Sequence, residues 1–137
     1  MPEKTFNLEV ITPDRSAVTE EVTALQVTAS DGLMGIWANH APLIAMLATG
    51  ELHCTDSKGK QKNLAVGEGF VEVLQNNVKV LCDFAEFDEE IDLDRAQKAL
   101  DRAKERLKHR TDSEIDEIRA EAALRRAMVR LKLAKKN

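Results

Sequence analysis

From position 88 onward the chain has no glycine, no proline and no aromatic residue; all six glycines, all three prolines, the single tryptophan and the four phenylalanines come earlier, and tyrosine is absent altogether. Glycine and proline punctuate turns, so their absence beside abundant Ala, Leu, Glu, Lys and Arg leaves a composition that favours unbroken helix. A domain boundary is therefore expected at Phe87 to Glu90, with residues 1–87 as one domain and 88–137 as the other. Long apolar runs are missing too: nothing approaches the ~20 consecutive apolar residues of a membrane-spanning helix. The start, MPEKTFNLEV, lacks the basic-then-apolar layout of a signal peptide. Both features predict a chain kept in the cytosol, with no direct membrane insertion.

Cysteine is scarce. Cys54 and Cys82 have no CxxC spacing and stand among alternating apolar residues, which predicts buried thiols rather than a disulfide or metal pair. His40, His53 and His109 show no metal-ligand spacing, so no metal site is expected. The sequence contains no GxxxxGK[ST] loop, no GxSxG and no HExxH, and common enzyme chemistries thereby lose their core. His40, in NHAPL, is the one imaginable general base, but a single histidine beside a proline-containing loop is ordinarily a hydrogen-bonded structural residue. With no row of aromatics on which bases could stack and an acidic first part, no nucleic-acid partner is expected.

What is present begins with length: 137 residues at 43% apolar content can build one ordinary core with a small appendage. Charge is split along the chain. Residues 1–87 carry 6 basic against 12 acidic side chains, and residues 88–137 carry 14 against 12. The basic excess lies at the end, where residues 119–137 hold seven Lys or Arg and one acid, Glu121. A mildly acidic body thus ends in a basic segment.

The first part alternates with the period of a sheet. Phe6, Leu8 and Val10 share one face of FNLEV, Leu25, Val27 and Ala29 share one face of ALQVTA, and FVEVL and VKVLCDF repeat the pattern. Turn signals separate the runs at TPDR (12–15), SDG (30–32), DSKGK (56–60) and the Asn76–Asn77 pair. Short strands at this spacing predict an antiparallel β-sandwich. Gly67 and Gly69, flanking Glu68, suggest a bulge or a close backbone approach rather than a phosphate loop.

The second part changes period. Ala96, Ala99, Leu100, Ala103 and Leu107 form one stripe on a helix predicted over Asp92–Lys108. HRTDSE interrupts it, and Ser113 followed by Asp116 resembles a capping box that opens a second helix. On that helix Ala120, Leu124, Ala127, Leu131 and Ala134 form one seam, and Ile115, Ile118, Ala122 and Val129 another. The expected fold class is α+β: an N-terminal antiparallel β-sandwich followed by a C-terminal antiparallel two-helix hairpin. Alanine buries little area, so the hairpin should be held weakly, as a switch requires.

Where the two parts meet stands IDLDRA, residues 91–96. Asp92 can be a plain N-cap, with Asp94 complementing the helix dipole. The arginines leave a second possibility open. Arg95 and Arg102 are seven residues apart, and Arg119, Arg126 and Arg130 follow at seven and four, so each set lies along one helix face. If those faces adjoin, several guanidinium forks could surround a polyphosphate; solvated Arg–Glu pairing, as between Glu121 and Arg125, is the alternative.

VITPD (10–14), DGLMGIWANHAPLIAML (31–47), AVGEGFVEV (65–73), IDLDRA and RAEAALRRAMVRL (119–131), in this order and across essentially the whole chain, resemble the epsilon subunit of bacterial F-type ATP synthase. The resemblance implies a non-catalytic rotor subunit of the central stalk. Its sandwich would contact gamma and the ring of c subunits, peripherally on the cytoplasmic side of the cell membrane. Its hairpin would inhibit ATP hydrolysis when extended towards the beta and alpha subunits, with Arg119, Arg126 and Arg130 as inhibitory contacts. In Bacillus-type members I-D-x-x-R-A marks an ATP site on the folded hairpin, and Ile91, Asp92, Arg95 and Ala96 match it position by position. Glu86, Arg102, Arg119, Arg126 and Arg130 match the further nucleotide-holding positions. No cofactor is implied as a requirement; ATP, with or without magnesium, enters as a regulatory ligand. A free-standing ATP-sensing module is the alternative. One departure is local: Trp37, Ala38 and Asn39 stand where relatives tend to place a Pro-Gly turn.

Overall fold

The computed structural model describes residues 4–109 and 114–136. The chain divides into two compact units, Met1–Phe87 and Asp88–Asn137.

Among the described residues the first unit is a β-sandwich of nine strands: β1 (Phe6–Ile11), β2 (Ser16–Ala29), β3 (Gly32–Trp37), β4 (Leu43–Leu47), β5 (Gly50–Asp56), β6 (Gln61–Val66), β7 (Gly69–Leu74), β8 (Asn77–Cys82) and β9 (Ala85–Phe87). Alternation works as its period demands: Phe6, Leu8 and Val10 are buried while Asn7 between them is exposed, and Leu25, Val27 and Ala29 point inward around exposed Gln26. The 14-residue β2 joins the layers. Its first half pairs with β1, and its second half lies between β3 and β5. From β1 the sheet continues through β8 and β7 to β4, and from β5 through β6 to β9. Pairing is antiparallel except between β1 and β8, which run parallel, as the long chain between them permits. The core between the layers includes Phe6, Leu8, Val22, Leu25, Ile36, Leu52, Leu64 and Val80, each at most 2% exposed. Every such side chain taken fully out of water contributes about 1.5–3 kcal/mol before the entropy of ordering is set against it.

Turns follow local chemistry. Asp56 accepts backbone N–H bonds from Lys58 and Lys60, each 2.9 Å long, and Gly59 takes the positive φ of 86° that closes the β5–β6 turn. Between β7 and β8 the turn lies one residue before the Asn76–Asn77 pair. Gln75 and Asn76 take φ of 49° and 62°, and Asn77 already pairs with Leu74. Asparagine tolerates this left-handed backbone, and Asn76 is further held by donating to the Thr5 carbonyl at 2.9 Å. Asn39 has φ of 62°, a left-handed backbone that asparagine tolerates; its N–H donates to Asn76 Oδ1 at 2.8 Å. Gly69 is a close approach, since a Cβ there would fall on the Leu81 carbonyl oxygen.

The second unit opens with a 3-10 turn at Asp88–Glu90 and contains α1 (Leu93–Lys108) and α2 (Glu114–Lys135). The Asp92 carboxylate caps α1 by accepting the Arg95 backbone N–H at 3.1 Å. Ala96 and Leu100 of α1 share a core with Ala127 and Leu131 of α2, with Ile91, Ala99 and Leu124 packed at the side; α1 ends at Lys108 and α2 begins at Glu114, a connection short enough to make the packed pair antiparallel. The second seam of α2 is not buried in the same way: Ile118 is 59% exposed, and Ala122 and Val129 are half-buried. The side chain of Ile115 and the cap expected at Ser113 and Asp116 fall outside the described residues.

Candidate functional site: an arginine-lined groove in the helical hairpin

Along one side of the hairpin, Ala99, Arg102, Ala103 and Arg106 of α1 face Ala123, Arg126, Ala127 and Arg130 of α2 across a groove of about 210 Å³. Periodicity builds it. Positions 99, 102, 103 and 106 recur at three and four residues on α1, as do 123, 126, 127 and 130 on α2, so each helix offers one row of alanines and one of arginines. The alanines let the backbones approach. The arginines are long enough to reach over the methyl floor while keeping their heads in water, and Arg126 and Arg130 are half-buried there. No carboxylate lies among the lining residues. Arginines of one sign around a small concavity raise its potential and suit a polyvalent anion, which guanidinium groups bind through bidentate N–H···O contacts.

The residues singled out from sequence divide into groups. Arg102, Arg126 and Arg130 come together in the groove. Arg95 and Arg119 are exposed on their helices and do not line it. Asp92 is the N-cap, while Ile91 packs beside the helix–helix core and Ala96, 3% exposed, lies within it. Glu86 is in β9, opposite Ala65 of β6, and belongs to the sandwich. Arg106 was missed by motif matching, although its spacing of four from Arg102 placed it on the same face and was a usable signal.

The sandwich carries different features. Leu33 and Trp37 on β3 are 73% and 63% exposed, and Ile44 and Met46 on β4 are 70% and 65% exposed. Met46 lies opposite Phe70 of β7, which is also exposed. His40 Nδ1 is 2.7 Å from the Ala41 carbonyl, the bond of a structural loop histidine. Among the described residues no three His, Cys, Asp or Glu side chains form a metal-holding group. Also among them, no helix is long and apolar enough to cross a membrane.

A β-sandwich followed by a two-helix hairpin is the domain order of one protein family. The description "ATP synthase, Delta/Epsilon chain, beta-sandwich domain" matches residues 5–88, and "ATP synthase, Delta/Epsilon chain, long alpha-helix domain" matches residues 89–135. The chain belongs to this ATP synthase delta/epsilon family. Within it, the relatives are epsilon chains. The ATP synthase epsilon chain of Syntrophomonas wolfei is 42% identical over 112 residues, covering 82% of each chain. That of Carboxydothermus hydrogenoformans is 49% identical over 106 residues, covering 77% of this chain and 78% of its own. Among solved structures, a chain of the Euglena gracilis mitochondrial ATP synthase (OSCP/F1/c-ring) matches with a TM-score of 0.82 at 27% identity, over 96% of this chain and 81% of that one. A chain from the central stalk and c-ring of the Tetrahymena thermophila mitochondrial enzyme gives 0.71 at 12% identity over 98% and 99%, a likeness of fold alone. The chain is thus an epsilon-type subunit of F-type ATP synthase.

Proposed function

We propose that this epsilon-type subunit is non-catalytic, that its sandwich joins the gamma subunit and the c ring on the cytoplasmic side of the membrane, and that its hairpin is a nucleotide-controlled brake on ATP hydrolysis. In the folded hairpin, ATP lays its phosphates among Arg102, Arg126 and Arg130. When the hairpin opens, the basic α2, with Arg119, Arg126 and Arg130, is free to meet an acidic surface of the beta and alpha subunits and oppose rotation. A ligand that binds one hairpin state better than the other shifts the balance by that difference alone.

The observation that carries this proposal is the groove itself: a concavity of about 210 Å³ with four arginines and no acid on its walls. The outward Ile44 and Met46 of β4, with exposed Phe70 opposite Met46 on β7, support the assembly role, since a contiguous exposed apolar patch marks an interaction surface. The test is calorimetric titration of the isolated full-length chain with ATP, with and without magnesium. Saturable binding is expected, and Arg126→Ala with Arg130→Ala should weaken it by at least about tenfold, the scale of losing charge-assisted bonds. No binding by the unaltered chain, or equal binding by the double variant, would remove the nucleotide from the proposal.

A further inference from the structure

The connection between β3 and β4, residues 38–42, stands at the surface with Asn39, Ala41 and Pro42 exposed. Among the described residues, one hydrogen bond ties it to another part of the sandwich: the Asn39 N–H donates to Asn76 Oδ1 at 2.8 Å. Asn76 uses its other side-chain atom as well, Nδ2 donating to the Thr5 carbonyl at 2.9 Å, and its own carbonyl accepts the Asn7 N–H at 3.1 Å. One half-buried residue thus clips together the β3–β4 connection, the β7–β8 turn and the segment entering β1, which lie far apart in sequence. We propose that Asn76 is a positioning residue for assembly, holding the β3–β4 connection in the shape that the gamma subunit meets without touching that partner itself.

This inference rests on the patch of Ile44, Met46 and Phe70 being where gamma docks, and it names what keeps the border of that patch in order. The connection leads straight into β4, and Asn76 stands in the turn that follows Leu74 of β7, a side chain 49% exposed. Both ends of the clip therefore adjoin the patch. A connection that loses its one fastening exchanges conformers, and a partner that needs one of them binds with an apparent affinity reduced by the fraction of chains holding it. That loss falls on association, because the docked partner restores the shape. Loss of a direct contact falls on dissociation instead.

The experiment follows association and dissociation of the full-length chain on an immobilised alpha–beta–gamma complex that lacks its epsilon subunit. Asn76→Gly removes the clip and keeps the left-handed φ of 62° without strain. It should associate about five- to tenfold more slowly and dissociate within about twofold of the unaltered rate. Asn76→Asp keeps an acceptor for the Asn39 N–H and should recover part of the association rate. Met46→Ser, a change in the patch itself, should instead speed dissociation. Amide exchange in the free chain should quicken at Asn39 in Asn76→Gly while β1, β7 and β8 stay protected. Unaltered rates in Asn76→Gly would remove the inference and leave the docking surface in place. A change confined to dissociation would make Asn76 a contact, and loosened strands would make its role merely structural; either outcome overturns the positioning role. If Met46→Ser binds like the unaltered chain, the patch is not where gamma docks, and the inference falls with it.

Discussion

Cys54 and Cys82, at 1% and 7% exposure, show how burial alone sets the chemistry of a side chain. Desolvation pushes both thiols from their ordinary 9.0 up to about 11, with nearby Glu20 adding to the rise for Cys54 and Asp83 for Cys82. Well below pH 9 both thiols are protonated, folded or unfolded, and their contribution is constant. Between about 9 and 11 the unfolded chain loses these protons while the folded one keeps them, so stability falls as pH rises. The melting temperature should therefore drop more steeply across this window in the unaltered protein than in a Cys54→Ala/Cys82→Ala variant. Parallel slopes would mean that the thiols do not contribute. The same burial should leave both cysteines unreactive to alkylating agents in the folded state.

At the level of elements, the hairpin and the sandwich differ in how much apolar surface each helix or strand buries. The helix–helix core has Leu100 and Leu131 as its large buried members, and alanines fill most other contacts. Leu100→Ala should cost about 2–5 kcal/mol, the range for truncating a buried leucine. That loss is large for a helix–helix core whose large buried members are two leucines, so the hairpin should open while the strands persist. Amide hydrogen exchange would show it: protection lost across α1 and α2 and retained in β1, β2 and β8. Equal loss of protection in the strands would mean that the two units do not open separately. Asp92 also works at this scale, because its carboxylate satisfies one of the N–H groups left free at the start of α1.

For the whole molecule, the proposed brake gives the division of charge and of helix packing a testable consequence. Residues 119–137 hold seven basic side chains against one acid, and an opened α2 would present that charge together with Ile118 and Met128, both more than half exposed already. Removing residues 88–137 should raise ATP hydrolysis by the assembled complex, and neutralising Arg119, Arg126 and Arg130 together should give part of that rise. Higher salt should weaken inhibition in the full-length complex, because steering between exposed charges is screened within about 8–10 Å at physiological ionic strength. Steady-state hydrolysis rates of matched complexes decide the matter. Equal rates with and without the hairpin would mean it is no brake, and would leave membership of the stalk untouched.

Much of this protein is determined by local sequence. Period-two alternation sets the inward faces of β1, the second half of β2, β7 and β8, period 3.6 sets the seam of α1, and Asp92 marks where that helix begins, because these features depend on residues a few positions apart. Alternation is blurred in β4, where Ile44 and Met46 face outward and are as apolar as their inward neighbours. The parallel pairing of β1 with β8 was beyond local pattern, since it joins strands about 70 residues apart, and so was the sharing of β2 between both layers. The site divides in the same way. Spacing along each helix fixed which arginines share a face, but the rotation of one helix against the other decided that Arg102, Arg106, Arg126 and Arg130 enclose a groove, while Arg95 and Arg119, each one turn before the first lining alanine of its helix, fall beyond its extent. That rotation is set by how Ala96 and Leu100 interlock with Ala127 and Leu131, a contact between distant residues that only the packed structure contains.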